Sequence, residues 1–136
     1  MDARLDCLFE MRAQMWRKAL NARVAATVAA HALVDARKAK APAQELETLE
    51  AASSRANAAE VAAEEALRRA EEALQRAWQV IRAGETAAWA AHTLVKARKA
   101  NMFMAQELEK LEAISSRAEE VLRRAEEALR RAEEAL

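Results

Sequence analysis

The chain has 136 residues, with 22 basic and 22 acidic side chains that cancel, so it supports one small core and leaves no room for the large α/β catalytic folds. One glycine, one proline and no tyrosine leave almost none of the chemistry that strand turns require, which excludes sheet architectures. The 38 alanines, against 25 residues of Leu, Ile, Val and Phe, favour helix while supplying little volume to fill a core.

The fold these numbers predict is all-α, a single domain over 1–136 formed as an antiparallel bundle of long amphipathic helices. A first helix is expected from Asp2 to Lys40. Its opening holds Leu5, Cys7, Leu8, Phe9, Met11, Met15 and Trp16, read as core at one end of the bundle. From Val24 to Ala30 the side chains are nearly all Ala, Val and Thr, and His31 follows. Lys40-Ala41-Pro42-Ala43 interrupts the helical composition, with Pro42 near the first turn of the next helix. The second helix carries a seam at Leu46, Leu49, Ser53, Ala56, Ala63, Leu67, Ala70, Leu74, Ala77 and Ile81, broken at Glu60.

Gly84 admits two readings. As a C-terminal cap it ends a helix, giving four helices over about 2–40, 43–83, 86–101 and 105–136, and this reading is preferred because glycine punctuates so strongly. Inside a helix it costs about 1 kcal/mol relative to alanine and leaves one central helix over 43–101. Two such chains running antiparallel would form a four-helix bundle at each end. A further interruption is expected at Asn101-Met102-Phe103-Met104. The last helix has a strict seam at Leu108, Leu111, Ser115, Ala118, Leu122, Ala125, Leu129, Ala132 and Leu136. The Ser-Ser pairs lie inside these seams and are read as small packing positions.

An internal repeat of about 62 residues, with copies over about 24–83 and 85–136, runs through this pattern. His31-Ala-Leu-Val-Asp-Ala-Arg-Lys-Ala returns as His92-Thr-Leu-Val-Lys-Ala-Arg-Lys-Ala, and the run Gln44-Glu-Leu-Glu-Thr-Leu-Glu-Ala-Ala-Ser-Ser-Arg returns from Gln106. Each copy is a helix end, a turn and a helix start.

Folding the first hairpin about Pro42 sets Glu60 level with Arg23 and Asn57 level with Ala26. One reading is an ion pair that fixes helix register. The other is a pocket between small residues, with Arg23, Thr27, Asn57 and Glu60 as its polar contacts. His31 and His92 sit in identical Ala-Ala-His contexts that suit an imidazole ligand to a flat macrocycle. They are equally read as solvated residues copied with the repeat. Neither has the His-x-x-x-His or Glu-x-x-His spacing of zinc and di-iron sites. Cys7 is a small hydrophobe or a haem thiolate, with Arg4 or Arg12 near the propionates.

Blocks of alternating sign such as Arg68, Arg69, Glu71 and Glu72 make a solvated face, which argues against a nucleic-acid partner. No catalytic constellation or phosphate loop is present, so activity would have to come from a bound cofactor. The longest stretch without formal charge, Val24 to Val34, is too short to span a membrane. The chain is expected to be soluble, in the cytoplasm of an expressing cell, without a targeting signal, and a lone cysteine suits a reducing compartment.

The runs Glu64-Glu-Ala-Leu-Arg-Arg-Ala-Glu-Glu-Ala-Leu and Arg123-Arg-Ala-Glu-Glu-Ala-Leu-Arg-Arg-Ala-Glu-Glu-Ala-Leu resemble the idealised surfaces of computationally designed helical bundles and helical repeat proteins. The resemblance is one of style over nearly the whole chain. It implies paired long helices around a pocket, sometimes built for haem, chlorophyll or a drug-like ligand. The resulting expectation is a bundle that holds a buried apolar ligand, foremost a tetrapyrrole. Ala26, Thr27, Ala30 and Trp89 would line the pocket, and His31, His92 or Cys7 would serve as axial ligand. The alternatives are a purely structural bundle or homo-oligomer without ligand (a homodimer in the antiparallel reading above), and a small-molecule module using Arg23, Asn57 and Glu60.

Overall fold

The computed structural model describes residues 2–100 and 105–136. Within them the chain is all-α, with three helices: α1 over Asp2–Lys38, α2 over Ala43–Ala100 and α3 over Ala105–Glu134. Packing pairs α1 with α2 and α2 with α3. Alanine, leucine, glutamate and arginine are the residues that lose least on entering a helix, and they dominate all three.

A Schellman motif ends α1. The Ala41 amide donates to the Ala36 carbonyl at 3.0 Å and the Lys40 amide to that of Arg37 at 3.2 Å, while Lys40 takes φ 55°. These bonds satisfy carbonyls that the last turn would otherwise orphan. Pro42, which has no amide to lose, follows, and its carbonyl accepts from Leu46 at 3.1 Å to begin the ladder of α2. The first break therefore falls where the sequence predicts it. The second expected break, at Asn101 to Met104, lies outside the described residues.

The preferred four-helix reading is corrected at Gly84, which lies within α2 and has no positive φ. A cap glycine needs a left-handed residue beyond the last turn, and none occurs here. The flanking Ala and Arg residues carry the helix through at the modest entropic cost of one glycine. Ser53-Ser54 and Ser115-Ser116 likewise sit inside α2 and α3, with Ser115 buried.

Residue contacts fall into two compact units, one ending at Glu71 and the other beginning at Glu72; α2 contributes to both. In the first, α1 and the opening half of α2 form an antiparallel hairpin. The expectation of a core from Cys7 to Trp16 is corrected as well. Leu8 is buried, Met11 and Met15 are half-buried, and Cys7, Phe9 and Trp16 are exposed. In the second unit the closing half of α2 meets α3 over Ala87, Ala90 and Ala118, with Leu122 against them. Alanine at these positions leaves a narrow contact line; Leu74, Val80, Leu94 and Leu129 are buried as well, whereas Trp78, Trp89, Val95, Ile114 and Val121 remain exposed.

Candidate functional site

Hairpin register is set by ion pairs from one edge of α1 to α2. Arg23 reaches Glu64 at 3.2 Å and Glu60 at 3.7 Å, Arg37 reaches Glu50 at 3.2 Å, and Arg12 reaches Glu71 at 3.6 Å. Arg23 and Glu60 thus stand at the level that folding about Pro42 predicts. The second unit repeats the device, with Arg98 on Glu112 at 2.6 Å. Arg98 and Glu112 occupy the places in their repeat copy that Arg37 and Glu50 occupy in theirs. The two hairpins accordingly share one register. All these pairs are open to solvent and contribute alignment more than stability.

The face of α1 that packs on α2 is marked by Leu8, Ala19 and Ala26, all buried, with Met15 and Leu33 half-buried. The residue after each of these is Phe9, Leu20, Thr27, Trp16 or Val34. A one-residue step turns roughly 100° about a helix, so they form a second stripe along α1. Four of the five are large hydrophobics left exposed: Phe9 at 43%, Trp16 at 51%, Leu20 at 43% and Val34 at 46%. His31 flanks this stripe, four residues beyond Thr27 and three before Val34, and is itself exposed.

The remaining candidates are placed as follows. Ala26 is buried, Ala30 and Asn57 are exposed, and Thr27 donates its hydroxyl to the Arg23 carbonyl at 3.0 Å. On the other hairpin, Trp89 and His92 lie in an open groove of about 670 Å³, with Thr93, Lys96, Ala97, Lys99 and Ala100. Trp89 is 68% exposed, an indole face without cover. A second groove, of about 380 Å³, runs between α2 and α3 along Gln79, Arg82, Ala83, Thr86, Val121 and Ala125. Among the described residues no three His, Cys, Asp or Glu side chains gather as a metal cluster, and no helix is long and apolar enough to cross a membrane.

The strongest electrostatic perturbation lies on the solvent face of α3. Hydrogen bonds from Arg123, assisted by Arg124 at 3.0 Å, hold the Glu120 carboxyl down to about 2. The same contact raises Arg123, and a bond from Arg68 lowers Glu65 in the same way. These are helix-surface pairs of the i, i+3 and i, i+4 kind, remote in character from a catalytic acid held neutral by burial.

Sequence reasoning found the hairpin register but overlooked the stripe of Phe9, Trp16, Leu20 and Val34. The signal was available: two apolar series one residue apart, each at three-four spacing, mark a helix with two packing faces. No family model, curated protein or solved structure matches the chain.

Proposed function

We propose that this chain is a structural building block that pairs with a second copy of itself. The observation that carries the reading is the exposed stripe of Phe9, Trp16, Leu20 and Val34 on α1. A two-helix hairpin has one internal contact line and no core, whereas four helices enclose one. A row of large apolar side chains on a hairpin, broken only at Thr27, is the counterpart such an enclosure needs. The second unit offers a groove walled by Gln79, Arg82, Ala83, Thr86, Val121 and Ala125. One chain thus holds both a ridge of large apolar residues and an open groove, and a two-fold pairing uses each of them twice. With α2 continuous over 58 residues, antiparallel copies set the first hairpin of one against the second hairpin of the other. The balanced charge of 22 and 22 opposes no such approach.

Light scattering on a sizing column tests this directly, with twice the 15.1 kDa chain mass expected. Trp16→Ala removes roughly 125 Å² of exposed indole surface per copy, about 3 kcal/mol on burial and twice that in a two-fold dimer. Dimer dissociation should therefore move up by as much as about four orders of magnitude. A wild-type chain that stays monomeric at every concentration overturns the proposal, as does a Trp16→Ala dimer as tight as wild type.

A second reading is supported by the groove holding Trp89 and His92. An uncovered indole beside an imidazole suits a flat apolar ligand, a tetrapyrrole with His92 as axial ligand being the leading case. The Glu-Glu-Ala-Leu-Arg-Arg rhythm supports the view that the chain is a designed scaffold, into which either role fits. An absorption titration with hemin, in which His92→Ala abolishes the shifted band, tests the ligand reading; a spectrum like that of free hemin overturns it.

A further inference from the structure

We propose that the outward face of α1 makes a two-fold contact with α1 of a second copy, the two helices running antiparallel and centred on residue 26. The contact lies on a different face from the stripe of Phe9, Trp16, Leu20 and Val34, and it stands whether or not that stripe pairs.

The inference comes from the spacing of four residues within the first unit. Arg17, Val24, Val28 and Asp35 are all exposed, with Val24 at 55% and Val28 at 63%. Arg17 and Asp35 are 18 positions apart, which is five turns of an α-helix, so they project in the same direction roughly 27 Å from each other. Val24 and Val28 lie between them, each within about 20° of that line. Buried Ala26, two residues from either valine, marks the side that packs on α2, so the line points away from the hairpin contact. Its steps of 7, 4 and 7 residues read the same in both directions, with a base at one end and an acid at the other.

Setting two such lines antiparallel brings Val24 level with Val28 of the partner subunit and Arg17 level with Asp35 of the partner subunit. The two-fold makes each pairing twice. Between Lys18 and Asp35 the one charged residue is Arg23, which turns toward α2 to meet Glu60 and Glu64, so no like charge opposes the approach. Arg17 also has no acid three or four residues away on its own helix, where Ala13, Gln14, Leu20 and Asn21 stand. Among the described residues neither its guanidinium nor the Asp35 carboxylate makes a hydrogen bond or ion pair. An apolar centre between opposite, unpaired charges is complementary to its own reversed copy, and that selects a second copy of this chain as the occupant. With two valines per copy at its centre, the contact belongs with small, weak interfaces and should form at high protein concentration.

Sedimentation equilibrium over a concentration series, at low and high salt, tests the contact. Wild type should show an association step that salt weakens, since the charges stand at the rim. Arg17→Asp and Asp35→Arg each set like charges together twice in the contact and should weaken that step on the order of tenfold or more. Both positions face away from α2, and circular dichroism checks that each variant stays helical. In an equimolar mixture, a copy with acids at positions 17 and 35 meets a copy with bases at both, so association should return. It should return as well in the chain that carries both substitutions. A single variant that associates like wild type overturns the inference, as does a mixture no tighter than its components or a wild type without the step. Trp16→Ala keeps the result distinct from pairing through the stripe. A step lost in Trp16→Ala but indifferent to charge reversal refutes this contact and leaves the stripe reading standing, whereas a step removed by charge reversal and untouched by Trp16→Ala does the reverse.

Discussion

Replacing Gly84 with alanine tests the continuity of α2. An ideal Cβ at this position meets only the Leu122 side chain, at 3.9 Å, which is ordinary van der Waals contact. The backbone is helical and without positive φ, so alanine fits without strain. Removing glycine from a helix interior gains about 0.8 to 1.0 kcal/mol, and a half-buried methyl against Leu122 adds a few tenths. For a chain of this size 1 kcal/mol corresponds to about 3 °C in midpoint. Thermal unfolding followed by far-ultraviolet circular dichroism, with wild type and Gly84→Ala at one fixed concentration, should show that rise. The fixed concentration matters because association itself shifts the midpoint. A fall in the midpoint would refute the reasoning, because it would mean that Gly84 holds a conformation closed to alanine, as a helix cap does.

Two further outcomes follow from the termini and surface of the helices. Lys40 pays for its left-handed φ of 55°, and Lys40→Gly should raise stability by roughly 0.5 to 1 kcal/mol in urea unfolding, after allowing for glycine's freer unfolded state; no change or a loss would dismiss strain at this turn. The Glu120 carboxyl, held down to about 2 by bonds from Arg123, should show that midpoint when its carboxyl resonance is titrated. Because the folded value is depressed, any stability from the contact is present above the ordinary carboxylate range and lost as pH falls toward 2. Arg123→Ala should move the midpoint upward, and an unmoved midpoint would refute the assignment.

The limits of α1 and the start of α2 were legible because Pro42 and the small residues around it break an otherwise uniform helical composition. Gly84 was misread because glycine is ambiguous by chemistry: its backbone tolerates a cap and a helix interior alike, and the choice belongs to its neighbours. The repeat was visible, yet it did not reveal that Arg37 and Arg98 make matching bonds, since the spacing along one helix does not say which acid of the next helix stands level with it. Cys7, Phe9 and Trp16 were expected inside because large apolar side chains usually are. In a hairpin lined by Ala19, Ala26 and Ala70, the contact line is too narrow to hold every such residue, and those a quarter turn away remain outside.

The unbroken ladder of α2 also bears on how the chain folds. Nucleating a helix is costly and extending one is cheap. Whichever hairpin closes first leaves the other a helix end already wound, so the second need only propagate through residues 72 to 84 and beyond. Contacts beside the connections, such as Arg37 with Glu50 and Arg98 with Glu112, are local in sequence and can form early. The single glycine, within the part of α2 that belongs to the second unit, is the largest entropic step in that propagation.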